Sequence, residues 1–358
     1  MYTNRIKILQ TKLGHLEVDA LLIENEFNLL YLTGFDGQQG DGRLFITPTE
    51  ATLITDARYE EDLHERLEVG IKLMITRNYM EVITNQVKEN SVKVLGFEDT
   101  IIYQDFAKLT QLPNLSLKAT AGVVNQLRAV KEPEEIAANI KAIELSDQGF
   151  NYLLTQIKPG LTEIQVSNIL DNWMKAHGST GASFETIVAS GVRAAMPHGA
   201  ATSKIIKAGE MITIDFGYYV DGYTSDITRT IALGEPDPKL KEIYNIVKAA
   251  QQKTMDSVKP GVSGKALDKI GRDFITSKGY GKEFNHGMGH GIGLDIHEYP
   301  ESYGAMSEYA VSQNEILTVE PGIYVKDLGG IRIEDDVLVT ETGYQRLSKI
   351  TQELIILN

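Results

Sequence analysis

Five residues in the second half of the sequence have the chemistry of one metal site: Asp215, Asp226, His290, Glu320 and Glu334. Four offer carboxylate oxygens and one an imidazole nitrogen. That donor set suits divalent ions such as Mn²⁺, Co²⁺ or Zn²⁺, and two such ions can share bridging carboxylates. The five lie too far apart for any short motif, so the fold must bring them together. If they converge, the chemistry is that of a two-metal hydrolase.

Each ligand has a local context that would aim it. Asp221-Gly222 is a two-residue hairpin turn of the kind that needs positive φ. With that turn, Val220 faces Tyr223 and Gly217 faces Asp226, and Asp215 shares the face of Gly217. The two aspartates become diagonal cross-strand neighbours, roughly 7–8 Å apart. Two carboxylates on one face repel unless a cation lies between them. Asp215 also sits inside the apolar run ITIDF, where an unpaired charge is costly. The segment FNHGMGHGIGLDIHEYP (284–300) holds three of the seven histidines. Its glycines at 287, 289, 291 and 293 read as places where backbone passes close to a ligand. His290, with glycine on both sides, is the metal ligand; His286 and His297 are better placed as substrate contacts or proton carriers. Glu320 closes the run ILTV before Pro321. Glu334 follows Ile331-Arg332-Ile333 in a strand whose alternation puts Arg332 on the face of Glu334, where a guanidinium would orient metal carboxylates. Asp335 and Asp336 read as a solvated strand end. His198, in the loop sequence Pro-His-Gly, gains interest from the company it would keep.

The elements that must hold these residues follow from periodicity. Arg5–Leu16 carries a helical stripe at 6, 9, 13 and 16. DALLI (19–23), RLFIT (43–47), ATLIT (51–55) and VKVLGFE (92–98) read as strands, so residues 1–125 form an α/β layer domain. A boundary near 122–132 precedes a long helix starting at Pro133, and residues 126–358 form the second domain. There KPGLTEIQVSNILDNWMKAHG (158–178) is echoed by KPGVSGKALDKIGRDFITSKG (259–279). Thr162 and Ser263 are the matching helix N-caps. The echo predicts two related halves packed around one centre. At 358 residues, two domains are the default. A net charge of −14 disfavours nucleic acid and anionic membrane as partners. The absence of cysteine excludes disulfides and thiolate zinc sites. No signal-peptide pattern and no long apolar run is evident, which fits a cytoplasmic enzyme.

Together these contexts resemble the pita-bread, creatinase-like metallopeptidases, in particular the proline-specific branch of aminopeptidase P and prolidase. The resemblance runs through LYLTGF (30–35), TDARY (55–59), LRAVKEPEEI (127–136), PHG, IDFG with SDITRT, GHGIG with IHE, VEPGIY and IRIEDD. It implies an N-terminal creatinase-like α/β domain and a C-terminal catalytic domain with pseudo-twofold symmetry. The family's two metal ions, often manganese, would be carried by Asp215, Asp226, His290, Glu320 and Glu334. The ions would lower the pKa of a shared hydroxide that attacks the Xaa–Pro carbonyl. Glu320 would carry the proton, and His198 and His297 would handle protons and the oxyanion, with His286 facing substrate. Arg193, Tyr218 and Tyr324 are candidates for the pocket. The resemblance also implies peptides with proline in second position as substrates, and a homodimer.

Within that branch the missing cation separates two activities. A dipeptidase must hold the substrate's C-terminal carboxylate, normally with Arg or Lys. Between His290 and Lys326 there is neither, and HEYPES offers Glu301. That predicts an Xaa-Pro aminopeptidase, with the Xaa-Pro dipeptidase as the alternative. A methionine aminopeptidase would share the ligands but lack the first domain, and a creatinase would lack the full metal set. A non-catalytic peptide-binding module predicts eroded ligands, and none is eroded.

Overall fold

The computed structural model describes every residue from Met1 to Asn358. The chain divides into two compact units, Met1–Leu127 and Arg128–Asn358. No helix is long and apolar enough to cross a membrane.

In the first unit a six-stranded mixed sheet runs in the order Ile71–Ile75, Ala51–Thr55, Gly42–Ile46, Ala20–Ile23, Val94–Phe97, Ser116–Ala119. The four inner strands are those that the apolar runs predict. The two edge strands escape such a reading because they are only partly buried and alternate with polar residues. The first helix spans Tyr2–Lys12, shorter than the stripe suggests. Ile6, Leu9 and Leu13 are buried, but the chain then turns, and Glu17 adopts a left-handed φ of 53°.

The second unit is built twice from one plan. Each half opens with a helix started by proline, Pro133–Leu154 and Pro238–Met255. Each continues through Lys-Pro-Gly to a capped helix, Glu163–Ala176 and Gly264–Ser277. Thr162 Oγ1 accepts from Gln165 N and Ser263 Oγ accepts from Ala266 N, both at 3.2 Å. The echo extends to the backbone. Gly160 N donates to Ile206 O and Glu163 N to Lys204 O; Gly261 N donates to Val311 O and Gly264 N to Tyr309 O. Each half also supplies a three-stranded antiparallel core. These are Ile187–Ser190, Met211–Phe216 and Ile227–Leu233 in one half, and Gly289–Gly291, Ile316–Val319 and Asp335–Val339 in the other.

Two apolar cores lie on opposite sides of these strands. Met211, Leu317, Val319 and Val337 feed the core that contains Tyr244 and Leu267 of the second helix pair. Ile212, Ile214, Ile231 and Ile316 feed the core that contains Phe150 and Leu170 of the first pair. Strands covered on both faces explain the unbroken apolar runs around the ligands.

Candidate metal centre

The duplication sets the site. In the first half, Asp215 is the penultimate residue of strand Met211–Phe216 and Asp226 precedes strand Ile227–Leu233. In the second, Glu320 follows strand Ile316–Val319 and Glu334 precedes strand Asp335–Val339. A hairpin separates the two carboxylates of each pair. The first hairpin turns at Asp221 (φ 52°) and Gly222 (φ 83°), with Val220 paired to Tyr223. Phe216 pairs with Ile227 and Asp215 with Thr228, so Asp226 stands diagonally across from Asp215. His290 comes from the middle of the short strand Gly289–Gly291.

Ligand atoms of Asp226, His290 and Glu334 lie within 4.8 Å of one another, all three residues buried. Glu320 Oε1 is 3.8 Å from His290 Nε2, and Asp226 Oδ2 is 3.4 Å from it. Nδ1 of His290 lies 3.0 Å from the Gly291 carbonyl, which can only accept. Nδ1 therefore carries hydrogen, and Nε2 is the nitrogen turned to the carboxylates.

The electrostatics fit divalent ions. Burial, then mutual repulsion, pushes the carboxyls of Asp226 and Glu334 well above their usual range, and burial raises Glu320. Asp215 Oδ1 is buried and accepts no hydrogen bond. Arg332 is the one Lys or Arg lining the cavity, and one guanidinium cannot balance four carboxylates. A cluster of oxygens and one nitrogen, short of positive charge and with an orphaned oxygen, has the donor chemistry for hard divalent ions.

Arg332 is committed to holding the cluster. It donates to Asp215 Oδ2, to Thr228 Oγ1 at 3.2 Å, to Pro197 O at 3.1 Å and to Tyr324 Oη at 2.7 Å. Thr228 in turn donates to Glu334 Oε2 at 2.5 Å. Tyr324 Oη lies 2.9 Å from His286 Nε2, whose Nδ1 is 2.8 Å from Gly287 O. Since that carbonyl only accepts, Nδ1 is the protonated nitrogen, and Tyr324 donates to Nε2. Arg332, Tyr324 and His286 thus form one chain of hydrogen bonds. Tyr324 was a pocket candidate by sequence; its neighbours show it tying Arg332 to His286.

The five candidate ligands open into a cavity of about 290 Å³. His198, His286 and His297 line it, with Phe184, Ile187, Pro197 and Ile296 as its apolar wall and Glu301 also lining it. The His297 ring stands 4.4 Å from that of His290, edge to face. Desolvation and the neighbouring imidazoles of His290 and His198 lower the His297 pKa to about 4. Burial, then the Arg332 charge, lowers His286 to about 4. Both are neutral at pH 7 and keep one N–H to donate.

Four sequence expectations need correction. Arg193 does not line the cavity. Its guanidinium is spent on the buried Glu163 at 2.7 Å and on Ala200 O. Tyr218 is fully buried and packs near Phe216, ring centroids 6.5 Å apart. Asp335 and Asp336 are not a solvated strand end, both being wholly buried. Asp335 pairs with Arg229 at 2.6 Å, while Asp336 accepts from Asp226 N at 3.1 Å and so steadies that ligand. Of the glycines around His290, Gly287 and Gly289 line the cavity, but they also serve the protein's own packing: a Cβ on Gly289 would strike Thr318 O, and one on Gly291 would lie 2.6 Å from Tyr299 O.

The profile of metallopeptidase family M24 matches residues 138–341, and that of the creatinase/prolidase N-terminal domain matches residues 5–130. The chain belongs to metallopeptidase family M24. An Xaa-Pro dipeptidase from Pyrococcus horikoshii is 37% identical over 94% of this chain and 95% of its own length. A solved Xaa-Pro dipeptidase from Bacillus anthracis superposes with a TM-score of 0.95 at 41% identity, covering 100% of both chains. An X-Pro aminopeptidase from Thermotoga maritima superposes with a TM-score of 0.90 at 33% identity, covering 98% of this chain and 99% of that one. The M24 protein described here has the pita-bread fold of the proline-specific metallopeptidases, with a creatinase-like domain before it, and is a metallo-exopeptidase.

Proposed function

We propose that this M24 protein is an Xaa-Pro dipeptidase, a prolidase, that hydrolyses the bond before proline in dipeptides. The observation that carries this is the higher whole-length identity to Xaa-Pro dipeptidases, 37% and 41%, than to the X-Pro aminopeptidase, 33%. The small cavity agrees with a short substrate. Its apolar wall of Phe184, Ile187, Pro197 and Ile296 suits a pyrrolidine ring.

Asp215, Asp226, His290, Glu320 and Glu334 would hold two divalent ions, Mn²⁺ first with Co²⁺ or Zn²⁺ also suited, which when bound supply Lewis-acid chemistry. The chain's own groups then divide the remaining work. Glu320 is the least buried of the four carboxylates, its side chain 19% exposed. It is placed to take a proton from the attacking water and return it to the departing proline nitrogen as the C–N bond breaks. Neutral His297, with His198 on the same wall, donates N–H to the carbonyl oxygen as charge grows there. Arg332 and Thr228 fix Asp215 and Glu334, and the Tyr324 hydroxyl fixes His286 beside Glu320 (Nδ1 to Oε2 is 4.0 Å).

One observation favours the aminopeptidase as a second reading. The only cation on the cavity wall is Arg332, already spent, and Glu301 stands there unneutralised. The deciding experiment strips the metal, restores Mn²⁺, Co²⁺ or Zn²⁺, and compares Ala-Pro with Ala-Pro-Ala. Faster turnover of the dipeptide supports the prolidase. Turnover confined to the tripeptide replaces it with the aminopeptidase, and turnover of neither with any metal leaves a peptide-binding module.

A further inference from the structure

Segment 128–131 plays no part in the site as described, yet it reaches a carboxylate next to His297. Glu298 is buried, its side chain 2% exposed, and so are the side chains of Arg128 (5%) and Lys131 (1%). Glu298 Oε1 accepts from Arg128 Nη2 at 2.6 Å and Nε at 3.2 Å; Oε2 accepts from Lys131 Nζ at 3.1 Å. The same Oε1 accepts from Leu294 N at 2.7 Å and Asp295 N at 3.1 Å. A Cβ on Gly293 would lie 2.7 Å from this carboxylate. Residues 293–297 are thus wound over Glu298, and the loop ends in His297. The His297 imidazole makes no hydrogen bond of its own; its nearest ring is that of His290. Its place in the cavity therefore depends on where the loop backbone is held.

Two backbone N–H groups would already satisfy one oxygen of this carboxylate. Burying two cations on it as well is expensive, because each must be desolvated. What the arrangement adds is direction. The Arg128 fork grips Oε1 from one side and Lys131 grips Oε2 from the other, so the carboxylate cannot rotate. We infer that Arg128 and Lys131 are positioning residues for the catalytic step: through Glu298 and the 293–297 loop they hold His297 against the scissile carbonyl. This rests on the oxyanion role proposed above for His297.

The test is a double-mutant cycle on the Mn²⁺-loaded full chain with Ala-Pro as substrate. Arg128→Lys keeps the charge and removes the fork. We expect kcat to fall about 10–100-fold, the usual cost of losing a partner outside the ligand set. KM should stay within about twofold, and the metal content per chain and the circular dichroism of the folded chain should not change. In a His297→Ala background, Arg128→Lys should lower kcat no further. If it costs the same factor in both backgrounds, or costs nothing in either, the inference fails while the role of His297 stands. If His297→Ala itself leaves kcat untouched, the role of His297 fails first and takes the inference with it. Should Arg128→Lys not fold, Lys131→Arg is run through the same cycle with the same expectation.

Discussion

Two buried acidic centres in the catalytic unit handle charge in opposite ways. At the candidate metal centre four carboxylates crowd around one histidine and a single arginine, and burial with mutual repulsion drives Asp226 and Glu334 toward the protonated form. At Glu298 one carboxylate meets two buried cations, which outweigh its desolvation and hold its pKa down to about 2. The first is short of positive charge and must be completed from outside; the second is complete within the chain. Burial alone thus says little about role. The balance of charge inside the buried set distinguishes a site that binds something from one that braces the fold.

The comparison breaks most visibly if a carboxylate is neutralised at each centre. Asp226→Asn, or His290→Ala, should cost more than the roughly 10²–10³-fold of a lost oxyanion donor in kcat/KM, with bound metal falling below two ions per chain. In the metal-free protein, however, Asp226→Asn removes a carboxyl whose ionisation the fold opposes, and with it the cost of keeping that group buried at neutral pH, so its Tm should rise. Glu298→Ala should do the reverse to stability. It strands two buried cations and should cost about 3–5 kcal/mol in urea unfolding. If Asp226→Asn destabilises the metal-free chain, or Glu298→Ala is neutral, the distinction drawn between the two centres is wrong.

That contrast also marks what could be read from the sequence. Asp215 and Asp226 were legible because a two-residue turn fixes register, and register fixes the face on which each side chain falls. The halves were legible because Lys-Pro-Gly, a capping hydroxyl and a closing glycine recur. Asp335 and Asp336 were misread because their partners, Arg229 and the Asp226 backbone, lie more than a hundred residues away. The Glu298 centre escaped notice for the same reason, its cations being about 170 positions upstream. Arg193 was misassigned because an arginine five residues before His198 does not reveal that Glu163 waits, buried, to neutralise it. Local periodicity reports burial well; it does not report who neutralises a buried charge.

Glu315 extends the comparison to pH. Burial raises its carboxyl to about 7, although Ser312 N donates to it and the Lys131 charge lowers it. A raised acid contributes stability that is complete below the unfolded value near 4.5 and is lost as pH rises through about 7. Glu298 has the opposite sign, its contribution present above about 4.5 and lost as pH falls through 2. The metal-loaded protein should therefore lose up to about 3 kcal/mol between pH 5 and pH 8 through Glu315. Glu315→Gln should flatten that part of the Tm-against-pH curve and leave the acid limb to Glu298. An unchanged slope would mean that Lys131 already keeps Glu315 ionised.

The smallest expected effect concerns Glu301, the one carboxylate of the cavity lining outside the five candidate ligands. If the proposed dipeptide seats its C-terminal carboxylate beside Glu301, which lines the cavity, two like charges near contact in water cost on the order of 1 kcal/mol. Glu301→Gln should therefore lower KM for Ala-Pro about fivefold, leave kcat within twofold, and weaken the dependence of KM on salt. KM for Ala-Pro-Ala should hardly move, because its terminal charge lies one residue farther out. If KM for both substrates is unchanged, Glu301 does not face the substrate's C-terminus, and the one local argument against a dipeptidase disappears.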